Sequence, residues 1–131
     1  MTETKPHILV VDDVAFMRNL LGGILTSLGY PWQGAASSEE AVRLIRAETP
    51  RLIILDIMMP EVDGIALCRW IRANEKTRET PVLVCTAQQE RRQVEAAIRA
   101  GATDILLKPV DKRKLKERLE KHLGPREDPP G

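Results

Sequence analysis

The chain has 131 residues, enough for one domain that buries its own core without disulfide or metal staples. Its 20 Lys and Arg face 19 Asp and Glu, a formal net charge of +1. That balance leaves no basic footprint for direct nucleic-acid binding and no pull toward an anionic membrane surface. Cys68 and Cys85 lie apart in apolar surroundings, with no CxxC and no metal-ligand spacing, and read as buried reduced thiols. The segment Met1–His7 lacks the apolar stretch of a signal peptide, and no apolar run nears the roughly 20 residues of a membrane span. A soluble, cytoplasmic protein is expected.

Strand-length apolar runs alternate with stretches of helical period. Ile8-Leu9-Val10-Val11 is a continuous run ending in Asp12-Asp13. Phe16, Leu20, Leu21, Ile24, Leu25 and Leu28 then recur at helical spacing, and Gly29 supplies a stop. Gly22-Gly23 sits inside that helix at a cost of about 1 kcal/mol per glycine, and suggests close packing or a soft point. Trp32 to Ala36 reads as a weak second strand; Ser37 with Glu40 three residues on forms a capping-box pattern for a helix facing inward through Ala41, Leu44 and Ile45. Leu52-Ile53-Ile54-Leu55 is the third strand, finishing at Asp56, and Asp63 is a candidate N-cap for a helix with Leu67, Cys68 and Ile71 inward. Val82 to Cys85 is the fourth strand, ending at Thr86, and the next helix places Val94, Ala97 and Ile98 on one face and stops at Gly101. Asp104 to Leu107 is the fifth strand, ending at Lys108-Pro109, and the last helix runs from about Asp111 to His122 with Leu115 and Leu119 inward. Phe16, Tyr30, Trp32 and Trp70 are read as packing residues. Five βα units imply a parallel sheet with helices on both faces. Residues 1–123 form one domain, and 124–131 reads as a disordered tail or the start of a linker.

Four of the five strand ends carry polar side chains: Asp12-Asp13, Asp56, Thr86 and Lys108. In an open parallel α/β sheet the functional crevice lies beyond those ends, so the fold gathers these residues on one rim. Carboxylates held about 5 Å apart repel by roughly 3 kcal/mol per pair at an effective dielectric of about 20. A hard divalent cation offsets this, since Mg²⁺ takes one or two carboxylates plus waters and a phosphate oxygen. Lys108 adds a positive charge and Thr86 a hydroxyl. A carboxylate nucleophile, a metal, a lysine and a hydroxyl together suit phosphoryl transfer. Taken singly, an acidic pair after a strand often only caps the next helix, and a lone loop Asp, Thr or Lys is usually solvated. The set as a whole has no such simple structural reading.

The motifs Val10-Val11-Asp12-Asp13, Asp56-Ile57-Met58-Met59-Pro60, Asp63-Gly64, Thr86-Ala87, Gly101-Ala102 and Lys108-Pro109 stand in the order found in receiver domains of two-component response regulators. From about His7 to Leu123 the chain resembles that family, in its chemotaxis-regulator-like single-domain form. The resemblance implies a doubly wound, flavodoxin-like α/β fold with strand order 2-1-3-4-5. It implies that Asp56 accepts a phosphoryl group from a histidine kinase or a histidine phosphotransfer protein. Mg²⁺ (or Mn²⁺) would be held by Asp12, Asp13, Asp56 and the backbone carbonyl of Met58. Thr86 and Lys108 would contact the phosphoryl group and act in the switch, the Lys108-Pro109 peptide would be cis, and Met58 and Gln88 would modulate dephosphorylation. Three residues before the lysine, where many members carry Tyr or Phe, stands Ile105. The basic last helix, with the helix before it and the fifth strand, is either a solvated face or the surface for an effector partner or homodimer.

Such a module is a signalling device rather than an enzyme with an external substrate. An aspartyl-nucleophile phosphatase would want an acid two residues after the nucleophile, where Met58 stands, and a nucleophile after the first strand. A nucleotide- or flavin-binding module would want a glycine- or hydroxyl-rich first loop, whereas Asp12-Asp13 repels phosphate. A receiver used only for docking, without phosphorylation, is the third alternative, raised by Ile105 and opposed by the intact acidic set.

Overall fold

The computed structural model describes residues 7–57, 64–87 and 91–124. The elements run β1 (Ile8–Val11), α1 (Ala15–Ser27), β2 (Trp32–Ala35), α2 (Ser38–Ala47), β3 (Leu52–Asp56), α3 (Gly64–Ala73), β4 (Val82–Thr86), α4 (Arg91–Ala100), β5 (Asp104–Leu107) and α5 (Lys112–Leu123). All pairings are parallel and the strand order is β2-β1-β3-β4-β5, as expected of a doubly wound sheet.

Alternation along the strands divides the core in two. Ile8, Val10, Ile54 and Leu83 face α1 and α5, where Leu21, Leu25, Leu115 and Leu119 meet them. Leu9, Val11, Ile53 and Val84 face α2, α3 and α4 through Ala41, Ile45, Leu67, Ile71 and Ala97. The central strands β1, β3 and β4 are buried along their whole length, which is why they read as unbroken apolar runs. Each fully buried Leu or Ile contributes about 1.5–3 kcal/mol by leaving water.

Local signals behave as their chemistry demands. The Ser37 Oγ accepts from Glu40 N at 3.1 Å, and the Glu40 carboxylate accepts from Ala36 N at 2.7 Å, one residue beyond the N-cap amide that a strict capping box pairs. Asp111 caps α5 by accepting from Lys114 N at 2.8 Å. Gly29 and Gly101 end α1 and α4 with φ of 88° and 111°, a region closed to most side chains. The glycine pair in α1 resolves into two different residues. A Cβ on Gly22 would stand 1.9 Å from the Trp32 ring, so the helix can cross β2 only because that position is bare; at Gly23 nothing lies within 4 Å.

Three expected inward residues are not inward. Phe16 is 72% exposed and Ile98 55% exposed. At 100° per residue, Phe16 lies roughly 180° round the helix from the buried Leu25, so α1 cannot bury both. Leu20 is half-exposed for a similar reason. In α4 the inner stripe is Ala97 and Ala100, and Ile98 stands to one side of it. Tyr30, Trp32 and Trp70 do pack against the core, the last with the Arg46 guanidinium 5.8 Å above its ring.

Candidate functional site

The register of the sheet builds the site. Val11 pairs with Leu55, so the next residues along, Asp12 and Asp56, stand side by side at the carboxyl ends of β1 and β3. Asp56 pairs in turn with Cys85, and Thr86 with Leu107, so the rim continues across β4 to Lys108. The Lys108 backbone N–H donates to the Thr86 carbonyl at 2.9 Å, and the Lys108-Pro109 peptide is cis.

Asp12 is 2% exposed and Asp56 6% exposed, so two carboxylates are buried next to one another. Lys108 Nζ donates to Asp56 Oδ2 at 3.0 Å. Burial raises the Asp12 pKa; the Val14 N–H, donated to Asp12 Oδ1 at 2.9 Å, works against that, and the charge of Asp56 adds to it, leaving a net rise. For Lys108, burial by itself favours the neutral amine, yet the hydrogen bond and charge of Asp56, with Asp12 behind it, outweigh burial and lift the pKa above the ordinary lysine value. Lys108 therefore stays cationic. Cys85, wholly buried behind this rim, has its thiol pushed up to about 12 by burial and then by the Asp56 charge, and is no nucleophile.

Asp12, Asp56 and Lys108 thus come together as expected. Asp13 is partly exposed at the edge of the rim. Thr86 is fully buried, and its hydroxyl donates to the adjacent Ala87 carbonyl at 3.4 Å, so it is engaged with its own loop. Ile105 lies away from the carboxylates, half-buried on β5 against the α2, α3 and α4 side. Met58, Gln88 and the candidate cap Asp63 lie outside the described residues.

Two further residues shape the site, Arg18, which sequence reasoning did not single out, and Gly64, which it quoted only within the Asp63-Gly64 motif. Arg18 Nη1 donates to the Asp12 carbonyl at 2.8 Å, fixing the turn between β1 and α1. Its signal was only a cation in the first turns of the helix that follows the acidic pair. Gly64 opens α3 directly against the end of β3: a Cβ there would meet Ile57 Cα at 2.8 Å and the Asp56 carbonyl at 3.2 Å.

Among the described residues no group of three or more His, Cys, Asp or Glu side chains forms a ready-made cage for a metal. A hard octahedral ion that keeps several waters does not need one. Two adjacent buried carboxylates, one with a raised pKa, are the donor set such an ion fits, and it would relieve the repulsion between them.

The comparisons with known proteins agree with this geometry. The family model described as response regulator receiver domain matches residues 8–120. A probable transcriptional regulator, ycf27, of Porphyra purpurea is 37% identical over 123 residues, covering 94% of this chain and 49% of that protein. The chain therefore spans about half the length of the first such relatives. Among solved structures, a putative response regulator from Chloroflexus aurantiacus superposes with a TM-score of 0.85 at 35% identity, covering 92% of this chain and all of that one. The receiver domain of a sensor histidine kinase from Pseudomonas aeruginosa, described with a magnesium ion coordinated in its active site cleft, has a TM-score of 0.84 at 30% identity, covering 93% of this chain and all of that one. With the fold, the strand order and the family match in agreement, this chain belongs to the receiver domains of two-component response regulators.

Proposed function

We propose that the chain accepts a phosphoryl group on Asp56 from the phosphohistidine of a histidine kinase or histidine phosphotransfer protein, and thereby switches an output interaction. The observation that carries this is the buried pair Asp12 and Asp56 with Lys108 Nζ 3.0 Å from the Asp56 carboxylate. An Asp56 oxygen attacks phosphorus as the P–N bond to the donor imidazole breaks; the imidazole leaves with the electron pair and takes up a proton. Lys108, held cationic, gives part of its charge to the phosphoryl oxygens as the Asp56 carboxylate is consumed. Arg18 holds the Asp12 backbone while the local charge changes. Asp12, Asp13, Asp56 and the Met58 carbonyl would hold Mg²⁺, or Mn²⁺, which supplies charge neutralisation and a seat for one phosphoryl oxygen.

Thr86 reads the modification. Its hydroxyl can exchange the long 3.4 Å bond to Ala87 for a short charge-assisted one to the phosphoryl group. Met58 and Gln88, two residues beyond Asp56 and Thr86, would modulate dephosphorylation. Output goes through the face made by α4, β5 and α5. There Val94, Ile105 and half-exposed Leu107 line a groove edged by Arg91, Glu95 and Arg118, suited to an effector or a second copy of the chain. No helix among the described residues is long and apolar enough to cross a membrane, and the proposal places the protein in the cytoplasm with no direct nucleic-acid contact of its own.

The test is intact-mass measurement after acetyl phosphate or phosphoramidate with Mg²⁺. One phosphoryl group per chain is expected, lost in Asp56→Asn and with excess chelator. Equal incorporation in Asp56→Asn refutes the assignment. Thr86→Ala should still be labelled but lose most of the coupling between labelling and partner affinity.

A further inference from the structure

Beside the phosphoacceptor the sheet and its covering helices part. A cavity of about 220 Å³ opens there, walled by Met17, Leu20 and Leu21 of α1 and Val110 before α5, with Ile54 and Cys85 as its floor. At its polar end stand Asp12, Asp56 and Lys108. Apolar atoms make up nearly all of the remaining lining, and Leu20, 44% exposed, sits where the cavity meets solvent.

Size and charge together specify an occupant. An apolar cavity of about 150 Å³ holds a benzene molecule, so this one has room for a ring and a short substituent. Two carboxylates against one ammonium give the polar end a formal charge of −1. Lys108 is committed to Asp56 at 3.0 Å, and one oxygen of Asp12 accepts the Val14 N–H at 2.9 Å. An anion would face both carboxylates, and a neutral apolar molecule would forgo the charge. A hydrated metal ion cannot use the apolar wall. We propose that this cavity binds a small amphiphilic cation, an aromatic or branched aliphatic amine or amidine. Its apolar body fills the gap between α1 and the β5–α5 connection, its cationic end meets Asp12, and its presence excludes the metal and slows modification of Asp56. The inhibitory part rests on Asp56 being the phosphoacceptor; the binding part does not.

Benzamidine is the probe, with neutral benzamide and anionic benzoate as controls, followed by calorimetry and by backbone amide shifts in the full chain. Benzamidine should bind at least tenfold more tightly than either control, with the largest shifts at Leu20, Leu21 and Val110. Mg²⁺ at ten times its own dissociation constant should weaken it about tenfold, as competition requires. Leu20→Trp, at a half-exposed position that tolerates bulk, should weaken benzamidine about tenfold while Mg²⁺ binding persists. Benzamide binding as tightly as benzamidine, shifts elsewhere on the surface, or indifference to Mg²⁺ would each overturn the inference. If benzamidine fails to bind while Asp56 is still labelled by acetyl phosphate, the cavity proposal alone is wrong. If it binds as described while Asp56→Asn is labelled like the parent, the phosphoacceptor assignment is wrong and the cation site stands.

Discussion

Asp104, at the start of β5 and away from the Asp56 rim, gathers three α5 side chains on one carboxylate oxygen. His122 Nε2 lies 2.8 Å from its Oδ2, Lys121 Nζ 3.3 Å and Arg118 Nε 3.5 Å, while Oδ1 accepts the Ile105 N–H at 2.8 Å. These contacts are unequal. Lys121 is largely exposed and Arg118 about a third exposed, so screening leaves each of those pairs a few tenths of a kcal/mol. The His122 side chain is 14% exposed, and a well-buried hydrogen bond to a carboxylate is worth about 1.5 kcal/mol. Asp104→Asn should therefore destabilise the domain by about 2 kcal/mol near neutral pH. The pH dependence has a definite sign. Burial alone would raise the Asp104 pKa, but the bonds from His122, the Ile105 N–H and Lys121, with the charge of Arg118, outweigh it and hold the pKa below the ordinary 3.8. A depressed carboxylate pKa gives stability that is complete above the unfolded value and disappears as pH falls through the folded one. Urea unfolding of parent and variant at pH 7 and at successive values below about pH 4 should show the 2 kcal/mol gap closing toward zero. A gap that stays constant across that range, or one below about 0.5 kcal/mol at neutral pH, would refute the reasoning.

Other expected outcomes follow from single contacts. Gly22→Ala should cost about 2–3 kcal/mol in urea unfolding, because its Cβ would meet the Trp32 ring at 1.9 Å, whereas Gly23→Ala, with nothing within 4 Å, should stabilise by up to about 1 kcal/mol. Arg72→Lys should cost at least about 2 kcal/mol, since one guanidinium donates to the carbonyls of Gly101, Thr77, Arg78 and Thr80 and to the Thr103 hydroxyl, and an ammonium can replace only a fraction of these. Ile105→Tyr should enlarge the affinity change that beryllium fluoride produces for the cognate partner by about tenfold, measured by titration; a parent response already near ten-thousand-fold and unaltered in the variant would show that no switch ring is missing.

The fold was legible because each element announces itself in a different way. Three strands buried on both faces are apolar without interruption, the helices show a 3.6-residue period, and Gly29 and Gly101 mark two ends with backbone angles that other residues avoid. Apolar periodicity failed where it counted residues without asking how wide a face the sheet could cover. Phe16 and Ile98 are in phase with a broad stripe but outside the narrow one that the sheet receives. The Gly22 packing was visible only as a conflict, since no local rule reveals that a tryptophan ten residues on will lie across a helix.

The site was legible for a related reason. Parallel strands put successive carboxyl ends on one edge, so one-dimensional positions after strands become a two-dimensional cluster, and Asp12, Asp56 and Lys108 meet as that rule requires. The readout obeys no such rule. Thr86 is buried with its hydroxyl turned to Ala87, and Ile105 is a stiff β-branched side chain on β5, packed against the core on the α4 side. A swing from about 1:99 to 99:1 needs roughly 5.5 kcal/mol of differential interaction, more than one threonine hydroxyl supplies. On the function proposed above, the remainder would come from whatever binds against Ile105 and Leu107 on the α4–β5–α5 face, which would make the partner a component of the switch as well as its target.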